Sequence, residues 1–128
     1  MYSDAIRMRF MRPQFAGVLA AESILHVMVG AQEQGAVIAL WARVDPQTQR
    51  IIEARFKAYG CGACIATADY LCELLIGLSP EHLQQFDTQY IANALELPSV
   101  KLHCIWLASE AVEQLLLAWR QTQASLVH

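Results

Sequence analysis

The chain has 128 residues, 55% of them hydrophobic and 16% charged, with a formal net charge of −3. That balance excludes a disordered chain, and the nine scattered Lys and Arg residues exclude the basic stripe that nucleic-acid binding requires. The length fits one domain over residues 1–128, and the apolar excess points to a large core or to a docking surface, a homo-oligomer included.

No apolar run reaches transmembrane length, so no membrane is expected. Arg7, Arg9 and Arg12 are followed only by the short run Phe15 to Ala21, too brief for a secretory leader. A cytoplasmic chain is therefore expected. Its four cysteines should stay reduced, as metal ligands, reactive thiols or core residues rather than disulfides.

Tyr2 to Met11 reads as a first helix, capped by Ser3 and ended by Arg12-Pro13. Three strands follow. Ile24 to Val29 is the first. Ala36 to Val44, nearly all apolar, is the second and central one. Asp45-Pro46-Gln47-Thr48 turns the chain into the third, Ile51 to Tyr59. There Ile52, Ala54, Phe56 and Ala58 face one way, and Glu53, Arg55 and Lys57 the other. Short connections imply an antiparallel meander.

Helices fill the rest. One runs from Cys64 to Ile76, with Cys64, Ile65, Ala68, Cys72 and Leu75 on one face and Gly77 as its stop. Ser79-Pro80-Glu81 starts the next, and Thr88 is expected to cap Gln89 to Leu95. Pro98 pushes Leu97 out of helical angles. The last helix is predicted from Glu110 to about Gln121, with Ala111, Val112, Leu115 and Trp119 inward. The order implies an α+β fold, a small three-stranded antiparallel sheet with helices packed on one face.

Tyr59-Gly60-Cys61-Gly62-Ala63-Cys64 carries the strongest chemical signal. Two cysteines at C-x-x-C spacing open a helix, whose N-terminus favours thiolates. A soft metal or iron–sulfur cluster, a redox dithiol and sulfur acceptance all fit. Core packing competes with ligation for Cys64, whereas Cys61 between glycines favours function. His103-Cys104 offers two further donors. Cys72 is roughly 12 Å along the helix from Cys64, too far to share a metal, and reads as core. His26, His82 and His128 read as structural or solvated, and Trp41, Trp106 and Trp119 as core or interface aromatics.

These residues resemble the U-type iron–sulfur cluster assembly scaffolds, IscU and the N-terminal domain of NifU. Tyr2-Ser3, Arg12-Pro13-Gln14-Phe15-Ala16-Gly17 and Met28-Val29-Gly30-Ala31 resemble the family's early segments. Ile51 to Cys61 and Leu95 to Cys104 resemble its later ones. The resemblance implies a scaffold rather than an enzyme. Such a scaffold takes sulfur from a cysteine desulfurase, assembles a [2Fe–2S] cluster on three cysteines, and passes it to recipient apo-proteins. It further implies Cys61 and Cys104 as cluster ligands with His103 beside them. Leu97, Pro98, Ser99, Val100 and Lys101 would be the site of a DnaK-type chaperone with its J-type co-chaperone, an extended epitope softened by Ser99.

Two departures stand out. Where the family's first ligand loop has Ala-Cys-Gly-Asp, this chain has Glu33-Gln34-Gly35-Ala36. Gln34 is a hard, weak donor, and Ala36 removes an aspartate that the family associates with cluster lability. Cys64 appears where the family has a small residue. A set of Cys61, Cys64, His103 and Cys104 would restore four donors, for iron, a [2Fe–2S] cluster or zinc. Two other readings compete. A degenerate paralogue would dock on the desulfurase or chaperone without assembling clusters. A thiol–disulfide oxidoreductase would use Cys61 and Cys64, although its fold needs strands on both sides of the motif.

Overall fold

The computed structural model describes residues 2–20 and 23–127, with side chains described up to Gln123. His128, and Ala21 at the end of the run from Phe15, lie outside the described residues. Helix α1 (Asp4–Met11) starts at Ser3, whose hydroxyl accepts from the Ile6 N–H and donates to the Leu95 carbonyl. One serine thus caps α1 and ties it to a segment 92 residues away.

Strands β1 (Ile24–Ala31), β2 (Ala36–Asp45) and β3 (Arg50–Tyr59) form an antiparallel sheet in the order β1-β2-β3. The near-continuous apolar run is the central strand, as expected for a strand paired on both edges. Leu25, Val27 and Val29 pair with Ala42, Leu40 and Ile38 on the inner face. His26 opposite Trp41 lies on the outer face, where the two rings stack 4.4 Å apart. The third strand departs from its expected phase. The register slips between Arg43 and Val44, so Arg43 faces Glu53 but Val44 faces Ile51. The bulge leaves Ile52 unpaired and 45% exposed, while Ile51 is buried. Ala54 and Phe56 face inward as predicted.

Helix α2 (Gly62–Leu75) packs on β3 and is buried on nearly every side, because α1 covers it from outside. Ser79 caps α3 (Pro80–Gln84) in a reciprocal pairing with His82. Thr88 does not cap α4 (Gln89–Leu95). Asp87 does, accepting from the Gln89 N–H, and the Thr88 hydroxyl instead bonds Ser109 at 2.6 Å. Ser99–Lys101 forms one 3-10 turn, so the stretch expected to be extended is folded back. The last helix, α5 (His103–Val127), begins seven residues earlier than predicted, since that turn feeds directly into it. Ala111, Val112, Leu115 and Trp119 face inward, as expected.

The core lies between the sheet's inner face and α2 and α5, with Ile38, Leu40, Leu71, Leu75, Leu115 and Trp119 at its centre. Cys72 sits in it as an apolar residue. Burial holds its thiol well above the ordinary range, with the Asp69 carboxylate adding to the effect. The folded chain thus keeps a proton that the unfolded chain sheds above about pH 8.5. Stability is full below that pH and falls as pH rises, by up to about 1.4 kcal/mol per unit. Denaturant titrations from pH 8 to 11 should show a slope that shrinks in Cys72→Ala.

Candidate functional site

Two helix N-termini meet at one end of the core. Cys61 is the N-cap of α2, with extended angles and no side-chain capping bond, and the Cys64 and Ile65 N–H groups donate to its carbonyl. Gly60 before it has φ +145°, which turns the chain sharply from β3 into α2. A Cβ at Gly62 would lie 3.1 Å from the rings of Phe10 and Tyr2, so only a residue without one lets α1 wall the site so closely. His103 and Cys104 open α5. Orphan N–H groups and both helix dipoles favour anionic sulfur at this point.

The donor atoms of Cys61, His103 and Cys104 all lie within 4.8 Å of one another. Cys104 Sγ is 3.8 Å from His103 Nε2. A tetrahedral ion with bonds near 2.3 Å needs donors about 3.8 Å apart. The set is therefore close to ligating separation and needs only small side-chain shifts. Two soft thiols and an imidazole suit an iron–sulfur cluster or zinc. Cys104 is buried, Cys61 half-buried and His103 exposed, so the site opens towards solvent through His103 and Cys61.

Cys64 lies outside this three-donor set. It is fully buried. Its interaction with Cys104 lowers the Cys64 thiol and raises that of Cys104, burial raising the latter further. Cys72 is buried elsewhere in α2, as its spacing required. The first loop, a 3-10 turn over Gln32–Gln34, does reach the site. The Gly35 carbonyl and Ala36 Cβ lie beside Gly60, next to Cys64 Cβ. It brings neither thiol nor carboxylate there.

The sequence resemblance gives Lys101 a partner role, but the structure puts it beside the thiols. Its ammonium is held above its ordinary value, first by the charge of Cys61 and then by Tyr2. The signal was available in sequence as a lysine two residues before His103. It was hidden because the extended reading of 97–101 would carry Lys101 away. Around it Val100 and Trp106 are 78% and 73% exposed, so Trp106 is no core residue, while Leu97 and Pro98 are half-buried. Among the described residues no strand follows α2, which leaves the C-x-x-C motif without a thioredoxin-like setting.

The family model described as the NifU-like N terminal domain matches residues 1–125. The iron–sulfur cluster assembly protein IscU of Plasmodium falciparum is 33% identical over 122 residues, covering 94% of this chain and 74% of that protein. Iron sulfur cluster assembly protein 1, mitochondrial, of Debaryomyces hansenii is 38% identical over 97 residues, covering 76% of this chain and 54% of that protein. The chain spans about half the length of several such relatives. A solved structure from Fervidobacterium islandicum, described as a cluster assembly scaffold for the SUF system, superposes with a TM-score of 0.68. It is 19% identical, covers 90% of this chain and 96% of its own, and shares the fold. These names correct the cytoplasmic expectation. The D. hansenii relative and three further fungal ones are named as mitochondrial, which points away from the cytoplasm.

Proposed function

The chain belongs to the NifU-like N-terminal domain family, and from that premise we propose that it is a scaffold for iron–sulfur cluster assembly, holding its cargo on Cys61, His103 and Cys104. The observation that carries this reading is the gathering of those three donors at two helix N-termini, with Lys101 beside them. The cargo is iron or a [2Fe–2S] cluster, and zinc can occupy the same soft donors in isolated protein. Binding and release, not catalytic turnover, would be its work.

The chain's own residues support each part of that work. Cys61 is the thiol that a delivering cysteine desulfurase can reach. Cys104 anchors the cargo from the buried side, and Lys101 offsets the negative charge that gathers there. The loss of the aspartate at Ala36 would slow release, leaving more for a DnaK-type chaperone with its J-type co-chaperone to do. Leu97 to Lys101 would be read by that chaperone as a folded turn presenting Val100. A second reading, a regulator that docks without assembling clusters, is favoured by Gln34 and Ala36 in the first loop.

Anaerobic reconstitution with ferrous iron and sulfide separates the two. Visible cluster absorbance in wild type, equal in Cys64→Ala, is the expected outcome for a three-donor site. Loss of absorbance in Cys64→Ala would make Cys64 a ligand after all. No absorbance in either protein, with desulfurase binding intact, would favour the regulator.

A further inference from the structure

The donor set is one short. Cys61, His103 and Cys104 supply three ligand atoms, and an ion of tetrahedral preference takes four. The missing position lies on the open side of the set, where Cys61 is half-buried and His103 exposed.

The first loop stands at that opening. Val37 on β2 pairs with Tyr59 on β3 as the last rung of their ladder. One step further brings Ala36 level with Gly60, and the next brings Gly35 level with Cys61. The contacts agree, since a Cβ on Gly60 would meet the Gly35 carbonyl oxygen at 3.2 Å and the Ala36 Cβ at 3.4 Å. Facing positions on antiparallel strands lie about 5 Å apart, and two residues of chain span at most about 7 Å. The Glu33 backbone therefore stands no more than about 12 Å from that of Cys61, a gap that two side chains and a small hinge motion close.

The tip of the loop is held by little. Gln32, Glu33 and Gln34 are exposed, and among the described residues none of their side chains has a hydrogen-bond or ion-pair partner. One backbone bond, from the Gly35 N–H to the Gln32 carbonyl at 2.9 Å, closes the turn. The space beside Gly35 is open, with nothing within 4 Å of where a Cβ would stand. The root is fixed, because a Cβ on Gly30 would collide with the Ala36 carbonyl oxygen.

Of the three side chains at the tip, Glu33 alone is charged. A carboxylate oxygen binds zinc at about 2.0–2.2 Å, whereas the neutral amides of Gln32 and Gln34 donate weakly. Resting on the scaffold reading above, we propose that the first loop closes over the cargo ion and that the Glu33 carboxylate is its fourth donor. The exchange is simple. The carboxylate displaces one solvent molecule from the ion, and no group changes its oxidation state.

The test uses the reduced full chain loaded with zinc or cobalt(II). Glu33 is exposed and unpaired, so the apo-variants should unfold at the wild-type denaturant midpoint. In zinc competition against a chelator, Glu33→Gln and Glu33→Ala should lose at least about tenfold in affinity, and Gln34→Ala should stay within about twofold of wild type. Glu33→Cys should add a third thiolate, raising the cobalt–thiolate charge-transfer band roughly 1.5-fold. Zinc should slow amide hydrogen exchange over Gln32 to Gly35 in wild type and not in Glu33→Gln. Equal zinc affinity in wild type and Glu33→Ala, or an unchanged cobalt band in Glu33→Cys, would overturn the proposal. So would a stronger band in Gln34→Cys without one in Glu33→Cys, which would give the fourth position to Gln34. Reconstitution with iron and sulfide separates this from the scaffold reading. Wild type that shows these Glu33 effects on zinc yet forms no cluster would overturn the scaffold reading alone. Wild type that forms a cluster while Glu33→Ala matches it in zinc affinity would overturn the loop donor alone.

Discussion

Cys61→Ser is expected to leave the metal-free protein at least as stable as wild type while it removes cargo binding. Cys61 is the N-cap of α2, yet its side chain makes no capping hydrogen bond. Serine is among the best residues for that position, and its hydroxyl can accept from an N–H of the first turn. A gain of up to about 1 kcal/mol follows. For cargo the exchange runs the other way. A hydroxyl is a hard, weakly acidic donor where the site offers soft thiolate, and losing one of three ligands should lower metal retention more than about 100-fold. Denaturant midpoints of the apo-protein and zinc competition against a chelator measure the two effects separately. A stability loss alongside the binding loss would mean that Cys61 is a packing residue.

Asp69 is expected to carry the largest stability effect. Its carboxylate is fully buried in α2. One oxygen accepts from Arg9 at 2.9 Å and the other from the Phe15 N–H at 2.8 Å. Arg9 also reaches Glu73 and lies over the Tyr70 ring, 4.4 Å from its centre. One buried acid therefore holds both α1 and the loop that follows it. Asp69→Ala strands a mostly buried guanidinium and an amide, which costs about 3–5 kcal/mol for a broken buried pair. Glu73 still offsets part of the Arg9 charge, so the lower end is expected, a melting-point drop of roughly 10 °C. Asp69→Asn can keep the bond from Phe15 and should cost less, about 1–2 kcal/mol. Because α1 brings Phe10 and Tyr2 against Gly62, the Ala variant should also loosen the wall beside Cys61. Faster iodoacetamide labelling of Cys61 than in wild type would register that.

Period-two alternation identified the sheet because one face is buried and the other is wet. It misplaced Ile52 because a bulge shifts the phase by one residue, and nothing local in Arg50-Ile51-Ile52-Glu53 announces it. Boundaries set by caps were legible at Ser3 and Ser79, whose hydroxyls accept from their own helices' N–H groups. Thr88 was not, since Ser109 on α5 competes for its hydroxyl. The start of α5 was hidden by Pro98, which forbids helix at Leu97 but leaves Ser99 free to begin a tight turn. At the site, ordered motifs identified Cys61, His103 and Cys104 as neighbours to be expected. They could not show whether Cys64 turned towards the set or behind Cys104, because that depends on how α2 and α5 cross. The placement of Lys101 was hidden because 97–101 read as extended, whereas Ser99–Lys101 folds into a turn.

If Cys61, His103 and Cys104 act together on one soft cargo ion, the ion's own coordination shell must contain them. X-ray absorption at the zinc edge of stoichiometrically loaded, full-length protein tests this most directly. The expected first shell has about two sulfurs near 2.3 Å and a histidine nitrogen near 2.0–2.1 Å, with one sulfur lost in Cys104→Ala. A shell of oxygen and nitrogen alone, unchanged by that substitution, would contradict it.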